Sequence, residues 1–187
     1  MRKLKLQVSI SLDGFIAGPN SEMDWMQCNW GDDINNYVAG FIEDVDTILI
    51  GRKLADGFIS YWEEAQANPE TAESGSEFMT RTPKIVFTKT LKEHNWPNTS
   101  LATGDLVNEV IALKKSEGGS LIAYGGAQFV SSLIKEGLID EYYLLVNPVA
   151  LGNGMPIFKE LTGVQQLKLA QATPFDCGIT ALHYTKL

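Results

Sequence analysis

The sequence is short of the residues that build metal sites and disulfide frameworks. Two cysteines (Cys28, Cys177) and two histidines (His94, His183) occur among 187 residues, none in a C-x-x-C or H-x-x-x-H spacing. No metal site is expected, and both cysteines read as reduced thiols. Positive charge is scarce as well. Fifteen Lys and Arg stand against 23 Asp and Glu, a net charge of −8, so no general basic field exists to hold a nucleic-acid backbone or an anionic membrane. Any phosphate must be held locally. Long apolar runs are missing, and Met1-Arg2-Lys3-Leu4 leads straight into alternating sequence without a secretion-type apolar region. A soluble, cytoplasmic protein is the expectation.

What is present is globular: 44% hydrophobic, 10% aromatic and 20% charged residues. That length and composition predict one domain over residues 1–187. Leu4, Leu6, Val8 and Ile10 alternate with polar residues, which predicts a strand over 4–11, with a turn at Asp13-Gly14. Asp32 and Asp33 are candidate N-caps for a helix whose face is Ile34, Val38, Phe41 and Ile42. Residues 46–50 read as a buried strand stopped by Gly51. The polar stretch 61–82 carries little periodicity and is expected to form a lid or rim beside the substrate mouth.

Short strands are expected at 84–87, 99–102 and 121–124. One helix is capped by Asp105, and another presents Phe129, Leu133 and Ile134 and ends at Gly137. Strand-like stretches at 141–150, 166–173 and 179–186 follow, the last two spaced to pair as a hairpin. Strands alternating with helices, then strands alone, predict an α/β fold in three layers. It has a central, mostly parallel mixed sheet of about eight strands, helices on both faces and a C-terminal antiparallel hairpin.

Three strand ends carry phosphate-binding chemistry. At the first, Gly125, Gly126, Ala127 and Gln128 open a helix, where unpaired N–H groups and absent Cβ atoms suit a pyrophosphate; the same glycines also suit a plain tight turn. At the second, Gly51 precedes Arg52 and Lys53, cations that either grip a phosphate or sit solvated on a helix's first turn. At the third, Thr88-Lys89-Thr90 follows residues 84–87. Three such turns at strand carboxyl ends favour a dinucleotide-sized ligand. No G-x-G-x-x-G follows a strand, and no G-x-x-x-x-G-K-[ST], H-E-x-x-H or G-x-S-x-G occurs. Trp25, Trp30, Trp62 and Trp96 fall in expected loops or rims, where they stack on a flat ligand or pack on the core edge.

In order along the chain, six segments carry a resemblance: Ser11-Leu12-Asp13-Gly14-Phe15-Ile16-Ala17, Met23-Asp24-Trp25, Ile50-Gly51-Arg52-Lys53, Thr88-Lys89, Tyr124-Gly125-Gly126-Ala127 and Leu151-Gly152-Asn153-Gly154. Together they resemble the dihydrofolate reductase-like superfamily, including the reductase domain of the bifunctional riboflavin-biosynthesis enzymes. The resemblance spans nearly the whole chain.

It implies NADPH lying across the sheet. Ile16 and Ala17 would face the nicotinamide side, Gly51, Arg52 and Lys53 the phosphates, Thr88 and Lys89 the adenine-ribose end, and Gly125, Gly126, Ala127, Gln128 and Phe129 the pyrophosphate. The implied activity is reduction of a small planar pyrimidine- or pterin-like heterocycle, of the 5-amino-6-(5-phosphoribosylamino)uracil reductase type in riboflavin biosynthesis. The contrasting reading is a non-catalytic nucleotide-binding module. Candidate proton donors are Asp32 and Asp33, near where dihydrofolate reductases carry a helix carboxylate, and Tyr124, standing where riboflavin-pathway reductases carry an acid. A homodimer is expected, with Tyr142 to Val146 covering a sheet edge.

Overall fold

Alternation along the first strand sends its side chains into two different interiors. The structure, a computed structural model, describes residues 1–27, 29–68 and 75–187. In β1 (Leu4–Ile10), the residues Leu4, Leu6, Val8 and Ile10 enter a core built with α4 (Leu106–Lys115) and α5 (Ala127–Lys135) through Val110, Val130, Leu133 and Ile134. Lys5, Gln7 and Ser9 point to the opposite face. There, α1 (Asp32–Ile42), α2 (Arg52–Ala67) and α3 (Ser76–Arg81) supply Phe41, Ala55, Ile59 and Met79 to a second core. Helices on both faces give the three expected layers. Leu6, Ile48, Ile50, Leu121 and Ile122 are fully buried, each contributing about 1.5–3 kcal/mol of transfer free energy.

The remaining strands are β2 (Val45–Gly51), β3 (Lys84–Phe87), β4 (Thr99–Ala102), β5 (Ser120–Ala123), β6 (Glu141–Val146), β7 (Leu167–Pro174) and β8 (Thr180–Lys186). They form one eight-stranded sheet in the order β4-β3-β2-β5-β1-β6-β8-β7. The first six are mutually parallel, β8 runs antiparallel to β6, and β7 antiparallel to β8. Every parallel strand therefore delivers its following turn to one edge.

The opposite edge is closed by ion pairs. Arg2 pairs with Asp46 and donates to the Gly119 carbonyl at 2.7 Å, while the Gly119 N–H donates to Asp46 at 2.6 Å. Buried Lys5 donates to Asp44 and to the Phe41 carbonyl, both at 2.6 Å. Lys114 reaches Asp140 at 2.5 Å. Glu141 accepts from Lys3 at 2.5 Å and from the Tyr143 hydroxyl at 2.8 Å.

Three expectations are corrected. Residues 61–67 continue α2 and 76–81 form α3, so the stretch expected to be an irregular lid or rim is largely helical; α2 buries only Ala55 and Ile59, which left its period faint, and residues 69–74 lie outside the described ones. Trp62 accordingly sits in a helix. The N-cap of α1 is Gly31, with Asp32 and Asp33 inside the first turn. Tyr142 to Val146 do not form an edge, because β6 lies between β1 and β8; the edge strands are β4 and β7.

Candidate active site

Two glycine turns meet at the carboxyl edge. β2 ends at Gly51 and opens α2; its neighbour β5 leads through Tyr124, Gly125 and Gly126 into α5. Gly125 and Gly126 have φ of +153° and +82°, which β-carbon-bearing residues rarely adopt. A Cβ on Gly126 would stand 3.6 Å from the Gly51 Cα, and one on Gly51 would collide with the Phe129 Cβ at 2.7 Å. Backbone thus packs on backbone. Neither α2 nor α5 has a side-chain cap, whereas α4 is capped by Asp105, which accepts from the Asn108 N–H at 3.0 Å. The N–H groups of Arg52 to Leu54 and Ala127 to Phe129 are left facing the edge together, concentrating the positive ends of two helix dipoles. The cradle has the shape and potential for a pyrophosphate.

The cations stand beside it. Arg52 donates to Asp56 at 2.9 Å and lies 5.5 Å from the Trp96 ring, which stacks on His94. Lys53 and Lys89 are exposed, with no ion-pair partner among the described residues. Thr88 is buried, its oxygen accepting from the N–H groups of Thr90 and Leu91 at 3.2 and 3.0 Å. That shapes the turn after β3 and leaves the hydroxyl proton free to donate.

The turn after β1 is clasped by a later loop. The Asp13 carboxylate accepts from Ser11 at 2.6 Å and from the N–H groups of Leu151 and Gly152 at 3.0 and 2.6 Å. These bonds, the Ser11 hydroxyl first, lower its pKa to about 2. Ile16 N–H donates to the Met155 carbonyl at 3.0 Å, and Met155 N–H to the Ala17 carbonyl at 2.8 Å. Gly154 is required here, since a Cβ would lie 2.4 Å from the Ala17 oxygen. The Ile16 carbonyl and Ala17 N–H take no partner among the described residues; as the two ends of one trans peptide they point to opposite sides.

On the face of the sheet that α1 and α2 cover, β1 and β5 lie side by side. Gln7 is buried, and neither its amide nor the Ser9 hydroxyl has a partner among the described residues. Tyr124 lies 5.8 Å from Phe58 of α2, its hydroxyl sealed and without a partner among the described residues; burial pushes its pKa far up, so it stays protonated. Asp33 accepts from the N–H groups of Ile34 at 2.8 Å and Asp176 at 3.0 Å, the latter bond foremost in holding its carboxyl below the usual range. It fastens the β7–β8 turn to α1. Asp32 is exposed on the same turn. The three candidate donors are not brought together, because the strands bearing Tyr124 and the Asp33 contact are three strand spacings apart, roughly 14 Å.

Sequence reasoning passed over Gln7, Ser9 and Asn147. Asn147, fully buried, ties the end of β6 to the Met23–Gln27 segment by accepting from the Gln27 N–H at 2.9 Å. A signal existed for Gln7 and Ser9: a strand central to a sheet covered on both faces has little reason to be polar on one of them.

A family model described as the RibD C-terminal domain matches residues 2–181. The chain belongs to the RibD C-terminal domain family. Within reach of that family it is 33% identical to the uncharacterized protein YyaP of Bacillus subtilis (strain 168), over 98% of this chain and 94% of that protein. Solved structures share its fold, among them the following three. A putative riboflavin biosynthesis protein from Shewanella sp. PV-4 superposes with a TM-score of 0.77 at 24% identity, covering 99% of both chains. A diaminohydroxyphosphoribosylaminopyrimidine deaminase/5-amino-6-(5-phosphoribosylamino)uracil reductase from Thermotoga maritima gives 0.69 at 16% identity, over all of this chain and 57% of that one. Dihydrofolate reductase from Enterococcus faecalis, complexed with NADP(H), gives 0.59 at 14% identity, covering 98% and 96%. The RibD C-terminal domain is thus a dihydrofolate reductase-like α/β sheet, as its motifs implied.

Proposed function

We propose that this protein is an NADPH-dependent reductase acting on a C=N or C=O group of a small planar heterocycle. The observation that carries the reading is the pair of glycine turns at Gly51 and Gly125-Gly126, opening two uncapped helices side by side. Its shape fits a dinucleotide pyrophosphate: a Cβ on Gly51 would collide with Phe129, and Gly125 and Gly126 hold positive φ that other residues rarely adopt. Gly51 and residues 125–129 would hold the pyrophosphate, Arg52 and Lys53 a 2′-phosphate, and Thr88 and Lys89 the adenine ribose. The open Ala17 N–H would donate to the oxygen of the nicotinamide carboxamide. When bound, the nicotinamide supplies the hydride.

This chain's residues then position and shield. The Asp13 clasp fixes the Ile16–Ala17 backbone, and Trp25 and Trp30 stand on the loop between β1 and α1. Tyr124, its hydroxyl sealed and kept protonated by burial, would pack behind the site rather than supply a proton. Asp33 is ionised and committed to Asp176. The proton that completes the reduction comes from solvent, to which Asp32 is exposed.

Titration with NADPH and NADH, followed by tryptophan fluorescence, tests the reading; NADPH is expected to bind the tighter, and binding of neither overturns it. Among the described residues no buried acid is poised to give up a proton, which favours one second reading, a nucleotide-binding module without catalysis. Tight NADPH binding with no oxidation across pterins, ribosylaminopyrimidines and quinonoid heterocycles would select it.

A further inference from the structure

Two cations open α2, and only one of them carries its own anion. Arg52 donates to Asp56, one turn along the helix, at 2.9 Å, whereas its neighbour Lys53 has no ion-pair partner among the described residues. The Arg52 guanidinium also lies 5.5 Å from the centre of the Trp96 ring, within cation–π range. Trp96 is held in turn: it stacks on His94, whose Nδ1 accepts the Trp96 backbone N–H at 3.2 Å. The cation that the reductase reading gives to a 2′-phosphate is therefore already engaged.

The engagement is weak, which decides what it can do. A cation in the first turn opposes the helix dipole, and a basic residue four places before an acidic one is the poorer order for such a pair. With the Arg52 and Asp56 side chains 37% and 65% exposed, a phosphate can open the pair, at a cost. If the pair opens, Asp56 is left beside the phosphate as a like charge. If it stays closed, the carboxylate keeps an N–H that a two-pronged phosphate grip would use. A ribose 2′-hydroxyl meets neither penalty, since it is uncharged and can itself donate to a carboxylate.

We propose, resting on the reductase reading, that Asp56 is a specificity-determining residue of the cofactor site: acting through Arg52, it narrows the margin by which NADPH is bound over NADH.

The test is a double-mutant cycle on the full chain, read by calorimetric titration of NADPH and NADH without substrate. Asp56→Asn is expected to tighten NADPH about 3- to 10-fold and to leave NADH within about twofold. Asp56→Glu keeps the carboxylate and should stay near the parent. In the Arg52→Ala background, Asp56→Asn should move the NADPH-to-NADH ratio by less than about twofold, because the guanidinium through which it acts is gone. Glu64→Gln removes another exposed carboxylate of α2, roughly 12 Å further along the helix and beyond the range of unscreened charge, and should leave the ratio unchanged. A ratio that Asp56→Asn leaves unchanged or lowers overturns the proposal, as does an equal rise in Glu64→Gln or in the Arg52→Ala background; in each case the reductase reading stands. Failure of every variant and the parent to bind either nucleotide overturns the reading itself, and this proposal with it.

Discussion

The two ends of the parallel strands handle positive charge in opposite ways. At the amino end Arg2, Lys3, Lys5 and Lys114 each meet a carboxylate, and Asp44, Asp46, Asp140 and Glu141 are used in turn by neighbouring strands. At the carboxyl end the positive potential comes from uncapped N–H groups of α2 and α5, with Lys53 and Lys89 unpaired among the described residues. Charge that is answered internally holds strands together and has nothing left for a ligand. Charge left open costs the fold a little and is available to an anion. A net charge of −8 conceals the distinction, because it sums over both ends.

The difference breaks most sharply at Gly126. Gly126→Val would place a branched side chain at φ +82°, against the Gly51 backbone. NADPH affinity should fall at least about 100-fold, with a stability loss of about 1–3 kcal/mol. Fluorescence titration and urea unfolding measure the two effects. Retained NADPH affinity would mean that the cradle is only a turn.

Glu141→Ala is the mirror experiment at the amino end. It leaves Lys3 and the Tyr143 hydroxyl without their shared acceptor and His183 without the carboxylate beside it. A loss of about 2–3 kcal/mol is expected, less than for a fully buried pair because Lys3 is mostly exposed. Nucleotide affinity should stay within about twofold. A large fall in affinity would show that the two ends are coupled.

Much of this contrast was legible before the fold was known. Period-2 alternation in β1, the Asp105 cap and the glycines after β2 and β5 announced elements whose local chemistry agrees with their packing. The amino-end ion pairs were not legible, because Lys5 and Asp44, or Lys114 and Asp140, meet only through sheet order. The exposed faces of α2 and α3 obscured their helical period, so that stretch read as a rim. Asp13 looked like a turn residue and is one, but its acceptors' donors lie on a loop 138 residues away. Gln7 was visible as the polar phase of a strand; its significance came only when both faces of that strand proved to be covered.

Arg52→Ala sharpens the comparison within the carboxyl end. The guanidinium stands where a 2′-phosphate would be gripped, and its present partners are an exposed Asp56 and the face of Trp96. NADPH should weaken about 10-fold and NADH about twofold or less. Equal losses would assign Arg52 to the pyrophosphate or to helix packing.

Asp13 gives the smallest effect and joins the two behaviours, since it is a carboxylate fully used by the fold at the end otherwise left open. Its folded pKa of about 2 lies below the ordinary 3.8, so the ionised form stabilises the clasp. That contribution is complete above about pH 4 and is lost as pH falls from about 4 to about 2. Asp13→Asn cannot accept from Ser11, Leu151 and Gly152 as a carboxylate does, because half of its amide is a donor. The variant should melt below the parent at pH 7, and the gap should close between pH 4 and pH 2 as the parent's own Asp13 takes up a proton. Thermal unfolding across that range decides it. A gap independent of pH would mean that Asp13 acts through its shape alone, and that the Ile16–Ala17 backbone is held by Met155 and Gly154 without electrostatic help.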